Sequence, residues 1–300
     1  MTGEFRSIER IHRLLPPVDP RELGIGDDAA AVVVPAGWLL LATDAVVAGV
    51  HADLSLTGLA DLGWKAMAAN VSDITAMGGQ PRHALVAVAG PADTDLEELY
   101  RGIAAAARHW SCPVVGGDLS NAPGLVVTVT MTGSVAGAPV RRSGARAGDG
   151  IYVTGPLGLS AAGLRQLRSG VRAETPATAA HRRPLPEVAA GQAARLAGAT
   201  SMIDVSDGLC ADIGHLADAS GVGVELEHVP VGEGATAQEA LVGGEDYVLV
   251  FTAADHEAVD AAFAPSLPVW RIGRCTGDAS RRRVEGRPWP DHAGWEHGWS

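Results

Sequence analysis

Residues 65–79 read KAMAANVSDITAMGG, and the placement of this stretch decides the fold. Counting Trp64, apolar side chains fall at Trp64, Met67, Ala68, Val71, Ile74 and Ala76. These mixed three- and four-residue steps predict a helix laid on a sheet. Thr57 is the expected N-cap, with Asp61 in the first turns, and Gly78-Gly79 is the stop. The helix also carries Lys65, Asn70, Ser72, Asp73 and Thr75, which on pattern alone read as one solvated stripe. Lys65 is the only lysine in the chain.

Upstream, residues 3–15 suggest a short amphipathic helix closed by Pro16-Pro17. A glycine-punctuated loop then sets Asp27 and Asp28 just before a strand at 30–34. A second strand at 38–42 is expected to end at Thr43-Asp44, with 45–51 extended or looped. Downstream, the pattern predicts a strand at 82–89 and a helix at 95–110. A buried strand at 112–115 runs into Gly116-Gly117-Asp118, and a β-branched strand covers 125–135. The glycine-, proline- and arginine-rich segment 136–150 is the domain boundary, giving domains 1–137 and 138–300. The second half continues the rhythm with strands at 151–154, 202–205, 222–226, 247–251 and 269–272. Its helices are expected at 159–168, at 186–197 with proline in the first turn, from Ser206-Asp207-Gly208 to 219, and at 255–263. A loop or short helix fills 170–184. The fold class is α/β (α+β): two α/β domains with mixed sheets.

The formal net charge of -12 argues against a general nucleic-acid or membrane-surface binder. It suits a protein that holds cations. The basic residues are almost all arginine, the side chain that grips phosphate with a planar fork. Cys112, Cys210 and Cys275 are scattered and odd in number, and read as small buried hydrophobes in a reducing compartment. The N-terminus lacks an apolar signal core and no run is long enough to span a bilayer, so a cytoplasmic protein is expected.

Aspartates recur at the mouths of apolar or glycine-lined runs: GIGDD, LLLATD, NVSD, VVGGD and MIDVSD. Singly, each reads as a helix N-cap or a turn former. Together, Asp28, Asp44, Asp73, Asp118, Asp204 and Asp207 could not all stay ionised at one site unaided, because neighbouring carboxylates raise one another's pKa. Divalent cations relieve the conflict, and all-oxygen donors favour Mg²⁺ or Ca²⁺. Thr43, Ser72 and Ser206 add neutral oxygens. Mg²⁺ held by carboxylates commonly completes its shell with phosphate, which points to a metal–nucleotide cleft for phosphoryl transfer. Calcium-loop, P-loop, dinucleotide-fingerprint and protein-kinase motifs are all absent from the sequence. Arg141-Arg142 reads equally as a solvated linker or a phosphate clamp, His51 as a surface residue or an anion partner, and Glu245 as a plain turn or a functional carboxylate.

The motifs GEF, GIGDDAA, TD followed by His51, KAMAANVSDITAMGG, GGD, RRSGARAGD, DVSDGL and GGEDY resemble the thiamine-monophosphate kinase family in order and approximate spacing. The likeness runs from Gly3 to about Trp295. It implies ATP-dependent phosphorylation of thiamine monophosphate to thiamine diphosphate by direct transfer with several Mg²⁺ ions. It further implies metal ligation by Asp28, Thr43, Asp44, Asp73, Asp118, Asp204 and Asp207, with the backbone carbonyl of Ala42 beside them. Tyr100, Gly117, Asp118, Arg142 and Ser206 would contact ATP, and His51, Glu245 and Trp295 the thiamine moiety. Asp44, Asp207 and Arg142 would be central to transfer. The implied fold pairs N-terminal strands across a two-fold axis into a barrel, hence a homodimer. This sequence departs from the family pattern at Ala42, where serine is usual, at Ala52-Asp53 after His51, at Val248 after GGEDY, and in the ending GWEHGW. A sister ATP-dependent synthetase and a catalytically silent nucleotide or thiamine-phosphate binder remain as alternatives.

Overall fold

The computed structural model describes residues 21–23, 27–34, 37–263, 267–290 and 293–295; the helix expected at 3–15 lies outside them. In chain order the elements are β1 (Ala30–Val34), β2 (Gly37–Val47), α1 (Leu59–Ala76), β3 (Gln80–Gly90), α2 (Leu96–His109), β4 (Val114–Asn121) and β5 (Val126–Val135). There follow β6 (Gly150–Val153), α3 (Leu159–Arg168), α4 (Pro176–Arg182), α5 (Val188–Leu196), β7 (Ser201–Asp204), α6 (Leu209–Ser220), β8 (Gly223–Leu226) and α7 (Ala237–Val242). The last are β9 (Leu249–Ala253), α8 (His256–Phe263), β10 (Trp270–Thr276), β11 (Arg282–Val284) and β12 (Arg287–Pro288). One mixed sheet has the order β1-β2-β5-β3-β4 and the other β12-β11-β8-β10-β6-β9-β7.

In the first sheet β5 is central because its sequence, VVTVTMTGSV, alternates. Val127, Val129 and Met131 are fully buried on the face covered by α1 and α2, as a half-covered strand requires. The second sheet packs apolar residues on both faces. Leu209, Ile213 and Leu216 of α6 fill one side; Ala190, Ala193 and Ala194 of α5 and Val259 and Phe263 of α8 fill the other.

α1 lies between these layers, against β2, β3 and β5 on one side and α4, α5 and β7 on the other. This corrects the solvated-stripe reading, since Lys65 is 2% exposed and Asn70, Ser72 and Thr75 are wholly buried. The second domain covers the polar face. The start of α1 also differs: Gly58 is the N-cap with no side-chain bond, because the Thr57 hydroxyl donates to the Asp53 carbonyl instead. The stop is as expected. Gly78 adopts φ +70°, its N–H donating to Thr75 O and that of Gly79 to Ile74 O, the paired bonds of a glycine-terminated helix.

Three further boundaries move. β2 does not end at Thr43-Asp44 but continues to Val47, both residues pairing with β5. The Gly-Gly-Asp run is not a loop after a buried strand; it lies inside β4, which is exposed along nearly its whole length because β4 is an edge. Pro186 precedes α5, whose N-cap is Glu187. α7 and the β11–β12 hairpin were not anticipated.

Candidate active site

Three elements meet at a carboxylate cluster. Asp28 comes from the turn before β1, Asp73 from the last turn of α1, and Asp204 from the C-terminal end of β7. Each offers an oxygen, and all three oxygens lie within 4.8 Å of one another. Burial pushes the Asp73 carboxyl well above the usual range, reinforced by Asp44, Asp204 and Asp28. Asp204 is likewise pushed up by burial and then by Asp28. Its one hydroxyl donor, Ser72 Oγ at 2.6 Å, acts in the opposite direction.

Arg142 closes one side. Its Nε and Nη2 donate to the two oxygens of Asp28 at 3.1 and 3.0 Å, a two-pronged fork. Its backbone N–H donates to Asp27 Oδ1 at 2.6 Å. Burial works to discharge the guanidinium, but Asp28, Asp204 and Asp212 together outweigh it and hold it charged.

The Ser206-Asp207-Gly208 loop is held by a residue that sequence reading missed. Asp212 in the first turn of α6 accepts the N–H of Asp207 and of Gly208 at 3.1 and 3.0 Å. Burial and the neighbouring Asp207 raise its pKa. The available signal was a second aspartate one turn into the helix after S-D-G. Asp207 O in turn accepts the Trp295 N–H at 3.0 Å, while the Trp295 residue stays 54% exposed.

A second polar cluster sits beside the first. Lys65 Nζ donates to both oxygens of Glu245 at 2.9 Å and approaches His51 O at 3.4 Å. His51 Nδ1 accepts the Val47 N–H. Glu245 has φ +64° and Tyr247 φ +51°, conformations that cost of order 1–3 kcal/mol and persist only where the surroundings enforce them. The enforcing bonds are Glu245 N–H to Ser206 O and Tyr247 N–H to Val205 O. Between them, Asp246 accepts from the N–H groups of Gly158 and Ser160 at the start of α3.

The structure therefore brings Asp28, Asp73, Asp204 and Arg142 together, with Asp44 close enough to act on Asp73. It brings His51 and Glu245 together through Lys65. Thr43 and Asp44, being neighbours on a strand, point to opposite faces; the Thr43 hydroxyl lies 3.0 Å from that of Thr130. Gly117 and Asp118 stand apart. Asp118 pairs with Ala87, Ala87 with Thr128, and Thr128 with Ala45, which puts it three strands, about 14 Å, across the sheet from β2. A side chain at Gly117 would meet Val86 O at 1.8 Å, so close strand pairing already requires glycine there. Tyr100 is half-buried against the first core.

Two family models match the chain: AIR synthase related protein, N-terminal domain, over residues 26–135, and the corresponding C-terminal domain over 146–285. A thiamine-monophosphate kinase of Mycobacterium tuberculosis is 37% identical over 303 residues, covering 98% of this chain and 91% of that protein. One from Salmonella typhimurium is 38% identical over 299 residues, covering 92% and 91%. The solved structure of AaThiL complexed with AMPPCP and TMP superimposes with a TM-score of 0.87 at 33% identity, covering 98% of this chain and 97% of that one.

Proposed function

The chain belongs to the thiamine-monophosphate kinase family, and from that premise we propose that it transfers the γ-phosphoryl group of ATP directly to thiamine monophosphate, giving thiamine diphosphate. The observation that carries this reading is the convergence of Asp28, Asp73 and Asp204, from three separate elements, to within 4.8 Å.

Magnesium fits this donor set. The oxygens are hard, and two of the three carboxyls are raised by burial and then by their carboxylate neighbours, a cost a bound cation would relieve. Asp28, Asp73 and Asp204 would hold it, with Asp44, Asp207 and the Ala42 carbonyl as further ligands for several ions; Thr43, on the opposite face of β2, and Asp118, three strands across the sheet, do not reach this cluster. Bound magnesium supplies the charge that lets two phosphate groups approach.

The chain's own residues do the rest. Arg142, fixed by Asp28, presents a guanidinium at the phosphates. Ser206 and Tyr100 contact the nucleotide. Asp212 fixes the loop that carries Asp207. His51, Glu245 and Trp295 hold the cationic thiamine, an aromatic face and a carboxylate being suited to a thiazolium and an aminopyrimidine.

We also place the domain division at 137/138 and the protein in the cytoplasm; no helix among the described residues is long and apolar enough to cross a membrane. A homodimer is proposed because, among the described residues, nothing covers the face of the first sheet away from α1 and α2, and β4 is an edge strand with Val115 60% exposed. Partner strands would complete a barrel there.

The test is a product assay with ATP, Mg²⁺ and thiamine monophosphate, with and without chelator. Thiamine diphosphate forming only with metal is the expected result. ATP hydrolysis without that product would overturn the proposal.

A further inference from the structure

Lys65 does not belong to the carboxylate cluster of Asp28, Asp73 and Asp204. It is nevertheless the only lysine of a chain whose other basic residues are all arginine, and it is 2% exposed. Burying an ammonium costs several kcal/mol unless every proton is satisfied. Here all three are directed at acceptors: Glu245 Oε1 and Oε2 at 2.9 Å each and His51 O at 3.4 Å.

The partners are informative. Lys65 stands on α1 in the first domain, and Glu245 on the strained turn before β9 in the second. His51 is on the loop after β2. Lys65 thus touches two of the three groups proposed above for thiamine. The Glu245 side chain keeps 26% exposure, so the carboxylate is pinned on one side and open on the other. His181 Nδ1, 3.7 Å from Glu245 Oε2, is occupied with Ser160 Oγ at 3.1 Å. A guanidinium at position 65 would bring a flat fork where a compact three-pronged donor is used.

We propose that Lys65 is a positioning residue for substrate recognition: its ammonium reaches across the domain interface to fix the Glu245 carboxylate and the His51 loop so that together they accept the aminopyrimidine end of thiamine monophosphate. The proposal rests on the kinase reading and adds a residue to it. It distinguishes Lys65 from a simple domain strut. A strut would affect folding and both substrates alike, whereas a positioning residue acts on thiamine monophosphate and spares ATP.

The experiment compares wild type, K65M, K65R, E245Q and the K65M/E245Q double variant, measuring KM for each substrate with the other saturating, together with thermal melting. K65M is expected to raise KM for thiamine monophosphate tenfold or more and to change KM for ATP less than threefold. K65R restores little of the loss, and the double variant is no worse than the poorer single one, because both remove the same contact. An unchanged KM for thiamine monophosphate, equal changes for both substrates, or additive losses would each overturn the role. If K65M does not fold, K65R, which keeps a charge opposite Glu245, decides by the same split. A wild-type protein that makes no thiamine diphosphate refutes the kinase reading; an active wild type with an unaffected K65M refutes only Lys65.

Discussion

Ser72 on α1 donates its hydroxyl to Asp204 at the end of β7 across 2.6 Å, so this bond, like the Arg142–Asp28 fork, joins the two domains inside the carboxylate cluster. The bond favours ionised Asp204 against the burial that disfavours it. A hydrogen bond to a charged group contributes about 1.5–3 kcal/mol. S72A should therefore strengthen proton competition for Asp204. The Mg²⁺ concentration for half-maximal turnover is expected to rise about ten- to a hundredfold, on the conversion of 1.4 kcal/mol per decade, and more at pH 6 than at pH 8. A magnesium titration at the two pH values checks it.

Asp73 is a separate case because its carboxyl is raised chiefly by burial and by other carboxylates. A raised carboxyl pKa means that the folded state binds the proton more tightly. Its stabilising contribution is present below the unfolded value and is lost as pH rises through the folded one. D73N removes the repulsion. In chelator at pH 7.5 the variant should melt several degrees above wild type, yet gain little from added magnesium and lose turnover by a hundredfold or more. Melting with and without magnesium, set beside the product assay, reads both effects. A D73N protein that remains active would remove Asp73 from the metal set.

Much of this arrangement was legible in the sequence, and the exceptions share a cause. β1 and α3 fall on their expected residues, and α2 is bounded by Asp95 and Trp110 as the periodicity implied. Each is decided by local pattern. The burial of Lys65, Asn70 and Ser72 depends on a second domain closing over α1, which no local period records. Thr43-Asp44 looked like a strand end because polarity interrupts an apolar run; ten paired residues of β5 override it. Asp212 was passed over because an acidic residue in a first helical turn is ordinary, and only the fold shows that it holds the Asp207 loop.

Gly102 tests the packing on which α1 depends. A Cβ there would lie 1.8 Å from the Ala60 carbonyl oxygen, so α1 and α2 approach at this point only because no side chain intervenes. G102A must separate the helices or strain both. Overpacking costs about 1–3 kcal/mol and sometimes more, and here the obstacle is backbone, which yields least. Urea unfolding should show a loss of about 3 kcal/mol. A neutral G102A would mean that the helices slide apart without cost.

The uncovered sheet face gives a prediction about assembly. Leu85 on β3 is 49% exposed on the side away from α1 and α2. L85E should leave the protomer's own melting almost unaltered, since nothing among the described residues packs on that side chain closely enough to bury it. It should halve the mass measured by light scattering if that face is the dimer contact. A dimeric L85E would place the contact elsewhere.

His181 supplies the clearest pH signature. Burial, aided by the positive charges of Lys65, Arg168 and Arg182, lowers its pKa to about 3, against the nearby Glu245 carboxylate at 3.7 Å. It is neutral when folded, whereas an unfolded chain titrates near 6.5. The unfolded state therefore binds more protons between these values. Stability from this group is complete above pH 6.5 and is lost on acidification at up to about 1.4 kcal/mol per pH unit. The slope has the opposite sign to that of Asp73 and Asp204, so the two partly cancel in chelator. With magnesium saturating, the carboxylates are held deprotonated and the histidine slope should emerge. H181Q retains a polar side chain without the titration. The difference between wild-type and H181Q unfolding free energies, measured in magnesium from pH 7.5 to 5.5, should change by about 1 kcal/mol, wild type losing more. Parallel curves would show that His181 does not remain neutral beside Glu245.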